Sequence, residues 1–319
     1  MEEDRKLYPL RLCAIRDEYG WGSETFRLAD LGYRDSLIHD GWLSGNAMGD
    51  IMDMYMDRVV GEHVFADFGR QFPVCVRHIR VSGKMPLRVH PDDETAGARY
   101  DFLGKEKFWY VMRAGRDARL WLGWKEDVDA TVLMDACAGN SVEGLLNVVA
   151  PHAGQYFRIA PGTVHGAAGD IEIIEISESS PLDFCVCGWG EEVSDVEFDP
   201  ALTLVDALDF IDYRKYRHQD TAEKGTDSVM KKLLGIPQFD VCKAALKDPL
   251  KVSLGDNGSF IVYVCVSGSA MLQMDVLGQT VSYPFGAGEA VLVPAECGDF
   301  ILAPADRGTE VLEVSMSPR

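Results

Sequence analysis

The sequence predicts an all-β protein with helical insertions, and three observations support that prediction. Most of the chain consists of short apolar or alternating segments separated by Gly, Pro, Asn and Asp, which is typical of strands joined by turns. These segments form one set before about residue 190 and a second set after about residue 250. Helical spacing of apolar residues interrupts the pattern in few places. We therefore expect two β-barrel or jelly-roll domains in tandem.

The predicted elements follow from local pattern. The first set of strands comprises Phe72–Val81, Phe108–Met112, Gln155–Ile159, Ile171–Ser177 and Phe184–Cys187. The second set comprises Val252–Leu254, Phe260–Val266, Ala270–Val276, Ala290–Val293 and Val311–Met316. Helices are expected over residues 46–60 and 200–216, where apolar side chains recur at helical spacing. A third helix is expected over 92–102, because its acidic beginning suits a helix N-terminus.

The domain boundaries are predicted from a polar segment after the last of these helices. Residues 1–217 are expected to form the larger, N-terminal domain, which includes the helical insertions and carries the functional site. Residues 218–235 are expected to be a linker, and residues 236–319 a smaller C-terminal domain.

Charge and cysteine content limit the classes of partner. The net charge of −20 repels nucleic acid and anionic membranes, so we expect neither as a partner. An anionic ligand would need a local cluster of Lys or Arg. The beginning of the chain has no signal-peptide pattern, and the eight cysteines form no CxxC pair. These features favour a reduced, cytoplasmic protein, and they indicate no oligomeric state.

Several short motifs occur in a fixed order along the chain. They are Trp21-Gly22-Ser23-Glu24, Phe72–Arg77, His90-Pro91-Asp92-Asp93, Gly104–Tyr110, Gly162–His165 and Gly288–Ala295. In this order they resemble the motifs of type I mannose-6-phosphate isomerases, which are zinc enzymes built on the cupin barrel. The resemblance implies a double cupin, and a carbohydrate isomerase that interconverts mannose 6-phosphate and fructose 6-phosphate through an enediol.

The resemblance also implies a metal-binding site, with zinc held by Gln, His, Glu and His. The two His positions correspond to His90 and His165, whereas Arg88 stands at the Gln position and Lys107 at the Glu position. Neither Arg nor a protonated Lys has a lone pair to give to a metal. Two arrangements would still allow a metal. A β-bulge would turn Glu106 inward as the replacement ligand, or burial beside other cations would leave Lys107 neutral.

The remaining candidate residues concern the substrate. By resemblance, Glu175 is the candidate catalytic acid or base and Lys105 a catalytic lysine. Arg77 would bind the substrate, together with Arg88 and Lys107 if these face the barrel interior. A cluster of these cations could hold a phosphate or carboxylate directly, without a metal. The direction of Glu175 stays open, because the alternation of the segment Ile171–Ile176 slips once.

Three hypotheses follow from this site. The first is a mannose-6-phosphate isomerase or related aldose–ketose isomerase with a rearranged site. The second is a non-catalytic cupin that binds a sugar phosphate or sugar acid in a cation-lined pocket. The third is an inactive paralogue with a structural role, whose pocket stays empty.

Overall fold

The computed structural model describes residues 5–190, 203–217, 229–254, 258–276 and 278–317. The chain divides into two units. Unit 1 comprises residues 1–15, 26–76 and 223–319, and unit 2 comprises residues 16–25 and 77–222. Residues 1–15 and 26–76 therefore group with the C-terminal part of the chain, whereas the sequence assigned them to the N-terminal domain. The boundary after residue 222 falls within the predicted linker 218–235, of which residues 218–228 lie outside the described part. The end of that predicted linker is wrong, because Met230–Gly235 form a strand that pairs with Asp240–Leu246.

The strands are short, as the pattern predicts. In chain order, β1 to β12 cover Leu10–Arg11, Ile15–Tyr19, Gly22–Leu28, Val74–Val81, Leu87–Val89, Lys107–Ala114, Arg119–Trp124, Leu146–Val149, Tyr156–Ile159, His165–Ala168, Ile171–Glu178 and Phe184–Cys187. In the same way, β13 to β21 cover Met230–Gly235, Asp240–Leu246, Leu250–Val252, Ile261–Ser267, Ser269–Val276, Gln279–Gly286, Ala290–Val293, Phe300–Pro304 and Thr309–Ser315.

Each unit is built on two sheets with an apolar core. Most residues of the sheets β2-β3-β4-β11-β6-β9 and β12-β5-β10-β7-β8 belong to unit 2. The sheets of unit 1 are β1-β19-β16-β21-β14-β13 and β15-β20-β17-β18. Trp109, Leu120 and Phe157 are among the side chains that form one core of unit 2, and Tyr263 and Phe300 belong to the core of unit 1. Burial of alternate strand residues in this way is what stabilises a two-sheet architecture.

The helices agree only in part with the prediction. In chain order, α1 to α6 cover Met48–Tyr55, Asp57–Val60, Glu62–Phe68, Asp93–Tyr100, Ala130–Ala138 and Leu204–Ala207, and a 3₁₀ helix covers Val142–Leu145. The helix predicted over 92–102 is confirmed as α4. The helix predicted over 46–60 is broken at Met56, whose φ of +46° does not fit a helix. Helices α3 and α5 were not predicted.

The helix predicted over 200–216 is wrong beyond residue 207, and residues 200–202 lie outside the described part. After a last turn, in which the amides of Phe210 and Ile211 donate to the carbonyl of Ala207, the backbone of this segment pairs with other parts of the chain. The amide of Asp212 donates to the carbonyl of Gly162, and the amide of Tyr216 donates to the carbonyl of Trp124. Tertiary pairing therefore overrides the helical spacing of the apolar residues.

Two further findings concern the lengths of the helices and the state of the cysteines. No helix among the described residues is long and apolar enough to cross a membrane. All eight cysteines are free thiols, and three of them are buried.

Candidate functional site

Three neighbouring strands of unit 2 bring the two motif histidines together. Strand β5 lies between β12 and β10, so that Arg88 is the register partner of both Cys185 and His165. His90 follows β5 directly. The ring centroids of His90 and His165 are 5.2 Å apart, and neither side chain is exposed. The structure therefore brings both predicted histidines into one buried site.

Two close backbone approaches position the ends of this site. Gly162 has a φ of +79°, and a Cβ there would lie 2.6 Å from the carbonyl oxygen of Phe210, so only glycine fits the turn that leads to His165. A Cβ on Gly104 would lie 2.4 Å from the backbone of Asp92 and Asp93. This approach folds the chain back after α4, and the amide of Lys105 then donates to the carbonyl of Pro91.

Strands β6 and β11 supply side chains from the opposite sheet. Glu175 is the register partner of Trp109, and Ser177 that of Lys107. Alternation therefore places Glu175, Trp109 and Lys107 on one face. The register shift of this pair leaves its extra residue, Met112, on β6, so the alternation of β11 is unbroken. Glu175 therefore points inward with Ile173 and is fully buried.

Glu106 does not join the histidines. It precedes β6, and no register shift turns it to the side of Lys107. Its carboxylate instead accepts from the Arg158 guanidinium at 3.0 Å and 2.5 Å. Lys107, not Glu106, therefore faces the two histidines, and the geometry does not support Glu106 as a replacement ligand.

Four cations and three carboxylates meet beside the histidines, and we call this group the ion cluster. Its members are Arg77, Arg88, Lys105, Lys107, Glu24, Glu175 and Asp183. All seven are buried, with at most 8% of any side chain exposed. The four predicted cations therefore do form a cluster, but the protein's own carboxylates neutralise three of the four charges.

Two of the four cations donate hydrogen bonds to carboxylates of the cluster. Arg77 donates to Glu175 through two nitrogens, one of them at 2.9 Å from Oε1, and its Nη1 donates to Glu24 at 2.9 Å. The Lys107 ammonium donates to Oδ2 of Asp183 at 2.7 Å. Trp109 donates its indole N–H to the second oxygen of Glu175 at 2.7 Å. The carboxylate of Glu175 is therefore hydrogen-bonded on both oxygens.

The other two cations, Arg88 and Lys105, are paired only at longer range. Arg88 Nη1 lies 3.6 Å from Glu24 and 3.7 Å from Asp183, and Lys105 Nζ lies 3.8 Å from Asp183. Neither side chain donates a hydrogen bond to any residue that the structure describes. Because ammonium and guanidinium groups carry several donors, these two retain hydrogen-bonding capacity for a ligand.

Lys107 also occupies the metal-binding lone pair of His165. Nδ1 of His165 lies 2.9 Å from the carbonyl oxygen of Thr163, which can only accept, so this nitrogen carries the proton. Nε2 is then the acceptor, and it lies 3.1 Å from the Lys107 ammonium. His90 is different, because neither ring nitrogen has a hydrogen-bond partner among the described residues.

The electrostatics agree with this assignment of protons. Burial raises the pKa of Glu175, but Arg77 and Lys107 outweigh it and bring the pKa to about 2. Burial likewise opposes the charge of Asp183, and Lys107, Lys105 and Arg88 bring its pKa well below the usual range. Burial and then Lys107 lower the pKa of His165 to about 3. Burial lowers the pKa of Lys105 to about 8 against the attraction of Asp183.

The donor set does not fit the zinc ion that the resemblance implies. His165 has given its lone pair to Lys107, and no Gln or Glu side chain replaces Arg88 and Lys107. A fixed positive charge about 5 Å from a divalent ion repels it by roughly 6 kcal/mol at an effective dielectric of about 20. Within the described ranges, no group of three or more His, Cys, Asp or Glu side chains could hold a metal ion.

Sequence reasoning missed the carboxylates of the ion cluster. Asp183 and Glu24 were not predicted as site residues, although Asp183 contacts all four cations. A weak signal was present. Asp183 is an isolated acidic residue in the apolar segment 181–187, and Glu24 lies within a motif that precedes the apolar end of β3. A buried acidic residue of this kind requires a cationic partner.

Comparison with known proteins finds sequence similarity to mannose-6-phosphate isomerases. No protein-family model matches it. The probable mannose-6-phosphate isomerase GmuF of Bacillus subtilis is 25% identical over 179 residues, which span 54% of this chain and about half (55%) of that protein. The mannose-6-phosphate isomerase ManA of the same organism is 23% identical over 299 residues, which span 87% of this chain and 90% of that protein.

The fold agrees with these relatives. The crystal structure of a mannose 6-phosphate isomerase from Bacillus subtilis superimposes with a TM-score of 0.81 at 18% identity, over 97% of this chain and all of that one. This likeness confirms the predicted double cupin, and the curated relatives confirm the predicted resemblance.

Proposed function

Since the chain is related in sequence to mannose-6-phosphate isomerases and has their cupin fold, we propose that it binds an anionic sugar without a metal. The ligand is a sugar phosphate or a sugar acid, and Arg88 and Lys105 hold its anionic group. We propose further that the chain does not catalyse metal-assisted isomerisation. The observation that carries this proposal is the unequal pairing of the four cations in the ion cluster.

The charge balance of the ion cluster supports an anionic ligand. Four cations face three carboxylates, so one positive charge is left without a counter-ion in a protein whose net charge is −20. A bound phosphate or carboxylate would complete the balance. Hydrogen bonds between such a group and a guanidinium or ammonium are roughly twice as strong as neutral ones. Arg88 and Lys105 have free donors for these bonds, whereas Arg77 and Lys107 already donate hydrogen bonds to carboxylates of the cluster.

The second candidate is aldose–ketose isomerisation of mannose 6-phosphate and fructose 6-phosphate. The relationship to ManA over 87% of the chain supports it. In that case Glu175 would move the proton between neighbouring carbons, and Lys105 would hold the substrate. A carboxylate with a pKa of about 2 and two hydrogen-bonded oxygens is a weak base at neutral pH, however. We therefore place isomerisation second.

Isothermal calorimetry in the presence of a chelator tests the first candidate. Mannose 6-phosphate and fructose 6-phosphate are each titrated into the protein, with mannose and inorganic phosphate as partial ligands. We expect a sugar phosphate to bind with an affinity that the chelator does not change. Binding that disappears with the chelator, or no binding of any of these probes, would contradict the proposal.

Substitutions of Arg88 and Lys105 test where the ligand binds. Arg88→Gln and Lys105→Gln should each weaken binding by about 10- to 100-fold, because each removes a hydrogen bond to a charged group. The matched control is Arg119→Gln on β7 of the same unit, whose side chain is 47% exposed. Equal affinities of Arg88→Gln and Arg119→Gln would place the ligand elsewhere.

A further inference from the structure

We propose that the Lys107 ammonium is a built-in cation that takes the place of a divalent metal ion and prevents metal binding at this site. The proposal does not depend on the sugar ligand, because it concerns only the contacts of Lys107 with its protein neighbours. It also explains why a barrel that retains His90 and His165 has no usable metal site.

The surroundings of the Lys107 nitrogen are those of a bound cation. Nζ lies 2.7 Å from Oδ2 of Asp183, 3.1 Å from Nε2 of His165 and 3.8 Å from Oε2 of Glu175. These three acceptors come from three different strands or strand ends, and all converge on one point. Two carboxylates and an imidazole are also the ligand types that zinc prefers.

Because Lys107 is buried, its ammonium excludes a metal ion from this position. Lys107 is one of the largest fully buried side chains of the protein, and its side chain has no exposed surface. It therefore cannot move aside into solvent when a metal ion arrives. A metal would have to displace the ammonium from both Asp183 and His165, and the displaced charge would remain buried among the same side chains.

Removal of the ammonium should therefore create a metal site from residues that are already present. In Lys107→Ala, the lone pairs of His165, Asp183 and Glu175 would surround the vacated position. Zinc ligands lie about 2.0–2.2 Å from the ion, so shifts of roughly 0.5 Å for Asp183, 1 Å for His165 and 1.7 Å for Glu175 would complete the coordination. Lys107→Met is the matched control, because it removes the charge but fills the space.

Zinc content after equilibrium dialysis against buffered zinc, measured by atomic absorption, tests the proposal. We expect Lys107→Ala to retain zinc at least ~100-fold more tightly than the wild type, because the repelling charge is gone. The combined variant with His165→Ala should lose that zinc, and Lys107→Met should not retain it. Failure of folded Lys107→Ala to retain zinc would overturn the proposal.

The wild type provides a second measurement that does not depend on the folding of a variant. We expect the wild type and His165→Ala to retain the same amount of zinc, because His165 holds no metal in the wild type. If the wild type binds one zinc per chain and His165→Ala does not, the site accepts a metal beside Lys107 and the proposal is wrong. Zinc that both proteins retain equally is bound at other residues, and that result would agree with the proposal.

Discussion

Asp183→Asn is the perturbation that most severely disturbs the ion cluster. The Oδ2 atom of Asp183 lies 2.7 Å from Lys107, 3.6 Å from Arg77, 3.7 Å from Arg88 and 3.8 Å from Lys105. At an effective dielectric of about 20, each pair attracts by roughly 4–6 kcal/mol. The cost of burying these charges offsets most of this attraction. The loss of one partner from a buried ion pair typically costs about 3–5 kcal/mol.

We therefore expect Asp183→Asn to lower the free energy of unfolding by about 4 kcal/mol, because four cations then face two carboxylates. Urea unfolding followed by tryptophan fluorescence measures this loss in unit 2, which contains Trp21, Trp109, Trp121, Trp124 and Trp189, whereas Trp42 belongs to unit 1. In thermal unfolding the midpoint should fall by roughly 8–16 °C.

Asp170→Asn is the matched control for this measurement. Asp170 pairs with Arg113 at the surface, where the two side chains are 53% and 52% exposed. An exposed pair contributes less than about 1 kcal/mol, so the control should unfold almost like the wild type. If Asp183→Asn differs from Asp170→Asn by less than about 1 kcal/mol, the ion cluster does not stabilise the barrel as its distances imply.

Three further predictions concern single residues. Burial and the nearby Asp93 raise the pKa of Glu178 from 4.5 to about 8, so the folded state keeps a proton that the unfolded state loses. The stability that this group contributes is complete below pH 4.5 and falls towards pH 8 by up to about 5 kcal/mol. Glu178→Gln should remove that fall in urea titrations across this pH range, and an unchanged profile would contradict the prediction. Met56→Gly should raise the free energy of unfolding by about 1 kcal/mol because φ is +46°, and a loss of stability in the thermal midpoint would show that Met56 packing outweighs the strain. Gly162→Ala should cost about 2 kcal/mol or more in urea unfolding, because its Cβ would clash with the carbonyl of Phe210, and an unaffected variant would show that this turn adjusts freely.

The fold and part of the candidate site could be predicted because their signals are local. Alternation predicts strands such as Phe72–Val81, whose described strand β4 is Val74–Val81. The ordered motifs implied both the cupin fold and the meeting of His90 with His165. The same alternation correctly separates Lys107 from Glu106, since neighbouring residues on a strand face opposite sides.

Long-range pairing explains what could not be predicted. Glu175 points inward on β11, but both faces of that strand are buried, so the apolar pattern of the segment could not show its direction. The contact of Asp183 with four cations joins residues from separate strands and loops, and no spacing along the chain encodes it. The predicted helix continues after Ile211, but the amides of Asp212 and Tyr216 donate to carbonyls of distant residues instead.

The conversion of mannose 6-phosphate to fructose 6-phosphate is the measurement that tests the central claim most directly. Purified protein is assayed with added zinc and, separately, with a chelator. Because Lys107 and Arg88 stand where a metal would need ligands, we predict no turnover that depends on zinc. Zinc-dependent turnover by the wild type, lost in His165→Ala, would contradict the claim that an ion cluster has replaced the metal centre.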